Sequence, residues 1–269
     1  MPIHYHKNDE HIVLITIDRP EARNACDAYH FRDLAKAWRD FNEDADAWVA
    51  IITGVQRSFM AGGDLKTYIP QIAKMQRDMA DMKVTEIDGC KLSDGTDAVL
   101  RDTRIYKPII AAVNGPCLAG GMEMLGGADI RIATEYATFA VMEPKRGVFA
   151  GGGTTTRLPR QLNFPAAMEF LLTAEAFPAK RALELGLINE IVTEDELLDK
   201  AYSWARRITV NAPLAVQATK ESVLRGMKET MADAYKIESE LSKRVFATED
   251  AQEGPRAFAE KRPPVWKAR

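Results

Sequence analysis

HIVLITIDRP (11–20) is rich in β-branched residues and stops at a proline, which predicts a strand. NACDAYHFRDLAKAWRDFNED (24–44) changes to a helical period that sets Leu34, Trp38 and Phe41 on one face. WVAIITG (48–54) predicts a second strand. PIIAAVNG (108–115) is apolar on both faces, as a strand buried inside a parallel sheet must be. In TFAVMEP (138–144), also a predicted strand, the two-residue period puts Phe139, Val141 and Glu143 on one side. Pro144 disfavours helical backbone at the preceding residue, so Glu143 is expected to be extended. From about 165 the pattern turns helical. DELLDKAYSWARRI (195–208) places Leu197, Leu198, Ala201, Trp204, Ala205 and Ile208 on one stripe. The same character continues through PLAVQATKESVLRGM and past Val245 to the tail GPRAFAEKRPPVWKAR.

Two strands, 48–54 and 108–115, each run through a turn into AGG and then into a helical pattern, so strand–AGG–helix is a repeated unit. The connection between Asp64 and Pro108 is long and polar. Its first part, TYIPQIAKMQRDMADMK (67–83), predicts a helix; VTEIDGCKLSDGTDAV (84–99) is rich in turn formers and acids. A connection of this length is usually functional or mobile, and it reads either as a lid over a substrate or as a solvated excursion.

Composition narrows the class. The chain has 269 residues, 46% of them hydrophobic, enough for one large core or a core with an appendage. A formal net charge of −3 gives no global attraction to nucleic acid or to an anionic membrane. MPIHYHKNDEHIV carries no apolar signal region, and glycine, proline or charge interrupts every apolar run before membrane-spanning length. Cys26, Cys90 and Cys117 form no CxxC pair, which points away from disulfides and thiolate zinc and toward a reducing, cytoplasmic setting.

The glycines suggest chemistry. A helix N-terminus leaves backbone N–H groups unpaired at the positive end of the dipole, and glycine there lets an oxygen approach closely. If Gly63 and Gly120 face one cavity, their amides form a two-donor oxyanion hole. Glu123, three residues beyond Gly120, leans toward that helix start, and Glu143 can arrive from the neighbouring strand. Two carboxylates in a partly desolvated cleft drive their pKa values apart, so that one holds a proton while the other accepts one, as addition or removal of water requires. Plainer readings compete: AGG as a tight turn, Glu143 paired with Lys145 or Arg146, Glu123 beside Arg131, and Asp64 as a helix-terminal charge. The third copy, FAGGGT (149–154), reads as close helix-to-sheet packing.

Other chemistries fit less well. His4, His6, His11 and His30 all fall in the first 30 residues, and His4 and His6 read as an exposed edge strand rather than metal ligands. There is no GxSxG, no GxxxxGK[ST] and no GxGxxG after a strand, which disfavours serine hydrolysis, nucleotide hydrolysis and hydride transfer.

Taken in order, ITIDRPEARNA, RSFMAGGDLK, KPIIAAVNGPCLAGGMEML, ADIRIATEYATFAVMEPKRGVFAGGGTTTRLPR, ALELGLINEIV and EDAQEGPRAFAEKRPPVW resemble the crotonase superfamily of enoyl-CoA hydratases and isomerases over nearly the whole chain. The resemblance implies an α/β spiral of ββα units over residues 1–195 and a helical C-terminal trimerisation region over 196–269, assembled as a homotrimer or a hexameric dimer of trimers. It places the oxyanion amides on Gly63 and Gly120. It makes Glu123 the group that activates water and Glu143 the one that supplies a proton at the α carbon. Gly63, Asp64, Leu65 and Lys66 match the segment lining coenzyme A, and Phe258 and Lys261 resemble residues reaching its far end. The implied partner is an acyl-CoA thioester, and no metal or separate cofactor is expected. Ala119 stands in place of the first glycine of a common GGG, Pro116 stiffens the preceding turn, and the 65–107 connection is longer than in short-chain hydratases. The implied reaction is hydration of a trans-2-enoyl-CoA to a 3-hydroxyacyl-CoA. The alternatives are a double-bond isomerase, a specialised acyl-CoA dehydratase, or a non-catalytic homologue that touches RNA.

Overall fold

The computed structural model describes residues 3–80, 86–87 and 89–269. Strand β1 (Ile3–Lys7) pairs antiparallel with β2 (Ile12–Ile17), and β2 is followed across the sheet by β3 (Val49–Gly54) in parallel register, Ile12 opposite Val49. Helix α1 (Ala28–Glu43) crosses between β2 and β3; Asp27 caps it by accepting the His30 amide at 3.0 Å. Its inward face is Phe31, Leu34, Ala35, Trp38 and Phe41, which includes the three residues expected from the period. His4 bonds Asp18 at 2.8 Å from the edge strand, and His6 is exposed there.

After β3 comes the excursion: α2 (Tyr68–Ala80), a two-residue hairpin of β4 (Glu86–Ile87) and β5 (Cys90–Lys91), and α3 (Leu92–Ala98). Positions 81–83 of the expected helix and 84–85 and 88 of the turn-rich run lie outside the described residues. Helix α3 is where turns were expected. Its glycine and acids are weak helix formers, but tertiary contacts override them: the Asp94 carboxylate accepts the Lys91 amide at 2.7 Å, and the Trp38 indole donates to Ala98 O at 3.0 Å. The excursion ends at Lys107, whose buried ammonium donates to Phe41 O at 2.7 Å in the last turn of α1 and to Asp44 O at 2.6 Å just after it; burial lowers its pKa to about 8.

The main sheet continues with β6 (Ile109–Val113), then the short β7 (Cys117–Leu118) and α4 (Gly120–Leu125). Next are β8 (Ile130–Thr134), β9 (Thr138–Ala140), α5 (Thr154–Gln161) and α6 (Phe164–Thr173). They are followed by β10 (Phe177–Pro178), α7 (Ala179–Glu184) and β11 (Glu190–Val192). The six-stranded order is β1-β2-β3-β6-β8-β11, and every pair after β1·β2 is parallel. A second layer, β10-β9-β7, lies beside it, extended by single bridges between Met60 and Cys117 and between Cys26 and Gly63. Each turn of the chain thus places one strand in the main sheet, one segment in the second layer and then a helix. That is a spiral of ββα units.

All five residues of β6 are buried, because both faces are covered. Ile109, Ala111 and Val113 join the larger core on the side of α1 and the second layer, whereas Ile110 and Ala112 join a smaller core under α8 (Leu197–Thr209). Leu197, Ala201 and Ala205 are the buried residues of α8, and Trp204 and Ile208 pack beside them; Leu198, expected on this stripe, is 40% exposed at its margin. Helices α9 (Pro213–Gly226), α10 (Met231–Phe246) and α11 (Asp250–Ala259) complete the chain. No helix of the described residues is long and apolar enough to cross a membrane.

Candidate active site

The spiral stacks two of the three AGG segments directly. Met60 is held by the 116–118 segment: its amide donates to Pro116 O at 3.2 Å and its carbonyl accepts the Leu118 amide at 2.9 Å. On the other side, Cys26 N donates to Gly62 O and Asp64 N to Cys26 O, both at 2.8 Å. Carbonyl and amide of one trans peptide point in opposite directions, so with Gly62 O facing Cys26 the Gly63 N–H faces away from it. Likewise Ala119 O accepts the Glu123 amide at 3.0 Å along α4, so the Gly120 N–H points out of the helix start.

These two amides are neighbours. A methyl carbon placed on Gly62 would lie 2.7 Å from Ala119 Cβ and 3.0 Å from Gly120 N, so only glycine permits the approach. Gly62 also has φ +93°, a conformation that glycine adopts without penalty. Neither the Gly63 nor the Gly120 amide has an acceptor among the described residues. Gly63 does not start a helix as its sequence context suggested: α2 begins five residues later, because Asp64 first closes a turn. One Asp64 oxygen accepts Lys66 N at 2.8 Å and Thr67 N at 3.3 Å, and the other meets Arg19 Nη1 at 3.0 Å. Those amide bonds and the guanidinium hold its carboxyl below the usual range, and make it an anchor for the loop.

Glu123 lies one turn into α4. The Gly152 amide donates to its Oε1 at 2.5 Å, and a methyl carbon on Gly152 would overlap the carboxylate. Burial raises the Glu123 pKa, while the Gly152 N–H and the charges of Arg157 and Arg101 pull it back. The FAGGGT segment, read as packing alone, therefore touches this acid. Arg131 is engaged elsewhere, donating to Ala128 O, Leu187 O and Gln161.

Glu143 is 8% exposed, and its Oε2 is buried with no hydrogen-bond partner among the described residues. Its pKa is pushed up to about 7, first by burial and further by the charge of Glu123. It makes no ion pair with Lys145 or Arg146. Its backbone is helical, φ −57° and ψ −44°, not extended, and β9 ends at Ala140, three residues earlier. The reason is local. Glu143 opens a single 3₁₀ turn at Pro144–Arg146, and its carbonyl accepts Arg146 N at 2.9 Å and Val148 N at 3.1 Å, which outweighs the pre-proline preference. The strand is short because its partners β7 and β10 have two residues each.

Gly63, Gly120, Glu123 and Glu143 are thus brought to one region. Leu65 and Lys66 stand exposed beside it, and Phe258, 87% exposed near the end of α11, and Lys261, just beyond it, are exposed as well. Sequence reasoning missed Gly152, Arg157, Arg19 and Tyr68. The repeated AGG was the available signal for Gly152; for the other three, periodicity carries none.

Two carboxyl groups with raised pKa values and two glycine amides without acceptors among the described residues lie together on a ββα spiral, an arrangement suited to an enzyme that polarises a carbonyl and moves protons beside it. The sequence profile of the enoyl-CoA hydratase/isomerase family matches residues 7–269, and the chain belongs to this family, with the crotonase fold. It is 40% identical to the enoyl-CoA hydratase EchA19 of Mycobacterium tuberculosis over 263 residues, 96% of this chain and 94% of that one. It is 35% identical to the (E)-benzylidenesuccinyl-CoA hydratase of Thauera aromatica, over 96% of each chain. A crystal structure of an enoyl-CoA hydratase from Mycobacterium tuberculosis H37Rv superposes with a TM-score of 0.85 at 37% identity, covering 100% of this chain and 99% of that one.

Proposed function

We propose that the protein is an enoyl-CoA hydratase, a hydro-lyase that reversibly adds water in the syn sense to a trans-2-enoyl-CoA and yields a 3-hydroxyacyl-CoA. The thioester oxygen sits between the Gly63 and Gly120 amides, which hold the enolate that develops as water attacks; each such donor is worth about 3 to 4 kcal/mol in the transition state. Glu123, held by the Gly152 amide, takes the proton from water as it attacks the β carbon. Glu143, whose burial keeps it an acid near neutral pH, delivers a proton to the α carbon. The observation that carries this reading is the contrast between the two acids, one steadied by an amide and two cations, the other buried with one carboxyl oxygen that has no hydrogen-bond partner among the described residues.

Coenzyme A enters as part of the substrate, along Gly63 to Lys66, with Phe258 and Lys261 reaching its distal end. No metal or redox group takes part in the proposed reaction. The region 196–269 serves for assembly into a trimer or a dimer of trimers around the 1–195 catalytic part, supported by the exposed Leu224 on α9, Met227 just after it, and Met231, Tyr235 and Phe246 on α10. A cytoplasmic setting fits the buried thiols of Cys26 and Cys117.

Loss of the conjugated enoyl absorbance of crotonyl-CoA, or of another member of an enoyl-CoA panel, tests the reaction. Glu123→Gln and Glu143→Gln should each remove most turnover while the fold stays intact; a near-wild-type rate from either overturns the assignment of that acid. The long 65–107 excursion and the relative named for a bulky acyl group favour a specialised acyl-CoA over a short linear one, a choice the panel decides.

A further inference from the structure

The Arg157 guanidinium is half-buried where three elements meet. From α5 its Nη1 donates to Glu123 O at 2.9 Å and to Val99 O at 3.2 Å, and its Nη2 donates to Leu100 O. Val99 and Leu100 follow α3, at the inner end of the excursion, and Glu123 belongs to α4. Three glycines make the channel for this side chain: methyl carbons at Gly126, Gly127 and Gly153 would lie 3.1 Å from its Cδ, and 3.3 and 3.5 Å from its Nη1. Leu100 has φ +60°, a left-handed conformation rare for an apolar side chain, and its carbonyl is one of the three that are bound. No carboxylate pairs with Arg157 among the described residues. Its donors go to backbone carbonyls, and a planar fork with five N–H groups suits that task in a way a lysine does not.

We propose that Arg157 is a positioning residue for Glu123, fastening the inner end of the excursion to the helix that carries the acid, so that one side chain sets both the seat of the excursion and the place of the carboxylate. The inference rests on the hydratase reading above. The Gly152 amide donates to Glu123 directly, and the titratable and charged groups that face it are Arg157 from α5, Arg101 after α3, Glu143 after β9 and Tyr68 from α2. Arg157 acts on it twice, through its backbone and through its charge.

The test compares Arg157→Lys and Arg157→Ala by kcat, KM, the pH profile of kcat/KM and thermal melting, with the enoyl-CoA that the panel shows to be turned over. A misplaced acid should lower kcat roughly tenfold to a hundredfold in both variants while KM changes little. In Arg157→Ala the acidic limb should also move to higher pH, because a cation that favours the ionised acid is gone, and millimolar guanidinium should restore part of the rate. Wild-type kcat and pH profile in Arg157→Lys overturn the proposal. So does a folded Arg157→Ala that loses activity with an unmoved limb and no rescue, since that would be a structural role alone. Should Arg157→Ala fail to fold, Arg157→Lys decides. Glu123→Gln is assayed alongside: hydration at the wild-type rate would overturn the reading of the site and this inference with it, whereas a silent Glu123→Gln beside a wild-type Arg157→Lys overturns the inference alone.

Discussion

The Gly152 amide donates to the Glu123 carboxylate at 2.5 Å, and Gly152 leaves no room for a side chain of its own. The segment that opens α5 thus reaches across to an acid on α4, and the glycine is dictated by the carboxylate above it.

Replacing Gly152 by alanine should displace Glu123 without unfolding the chain. Loss of a hydrogen bond to a charged group removes about 1.5 to 3 kcal/mol, so kcat should drop by roughly tenfold to a hundredfold. Steady-state kinetics with circular dichroism checks this. Unchanged kcat in a folded Gly152→Ala would show that the contact does not matter to the reaction.

The Glu143 acid, with its pKa near 7, predicts a basic limb: hydration should fall as pH rises through about 7, because the proton donor is lost. Stability has the same sign. A carboxyl with a folded-state value raised above its unfolded one binds more protons when folded, so its contribution is intact below the unfolded value near 4.5 and is lost as pH rises through about 7. Glu143→Gln, which cannot ionise, should therefore be more stable than the parent at pH 8, by up to about 3 kcal/mol, and melt at a higher temperature; equal melting temperatures at that pH would refute the burial argument.

Ala119 has φ +49° and ψ −114° immediately before the Gly120 amide, outside the regions open to a residue with a Cβ. Strain of this kind amounts to about 1 to 3 kcal/mol, against about 0.4 to 1 kcal/mol for the extra unfolded-state freedom of glycine. The strain wins, so Ala119→Gly should raise the melting temperature by a few degrees. Calorimetry showing a lower melting temperature would contradict the balance.

Tyr68 lies between Gly63 and α3. A methyl carbon on Gly63 would lie 2.9 Å from its ring, its ring centroid is 4.3 Å from that of Phe31, and its hydroxyl fills the space a side chain at Gly95 would need. Gly95→Ala should then cost about 1 to 3 kcal/mol by overpacking, and Tyr68→Phe should restore much of that in the double variant. Additive losses in denaturant unfolding would mean that the two positions do not meet.

Much of this was legible in sequence because it is periodic or repeated. β3 and β6 are apolar on both faces and lie inside a parallel sheet; Leu34, Trp38 and Phe41 mark the inner side of α1; and the AGG copies flag the glycines that the second layer stacks. What escaped depends on partners distant in sequence. Helix α3 forms against Trp38 despite its poor propensity. Glu143 turns helical for two amides that lie after it. Arg19 finds Asp64, and Arg157 finds Val99, Leu100 and Glu123, through contacts that no local pattern encodes.

The two ends of the excursion are fastened independently of what lies between them: Asp64 to Arg19 and Cys26 at one end, Lys107 to the carbonyls around the end of α1 at the other. Descendants of this chain can therefore rewrite the stretch between Tyr68 and the Val99 and Leu100 carbonyls that Arg157 holds, and acquire a taste for new acyl groups, while the proposed seat of the thioester stays where it was.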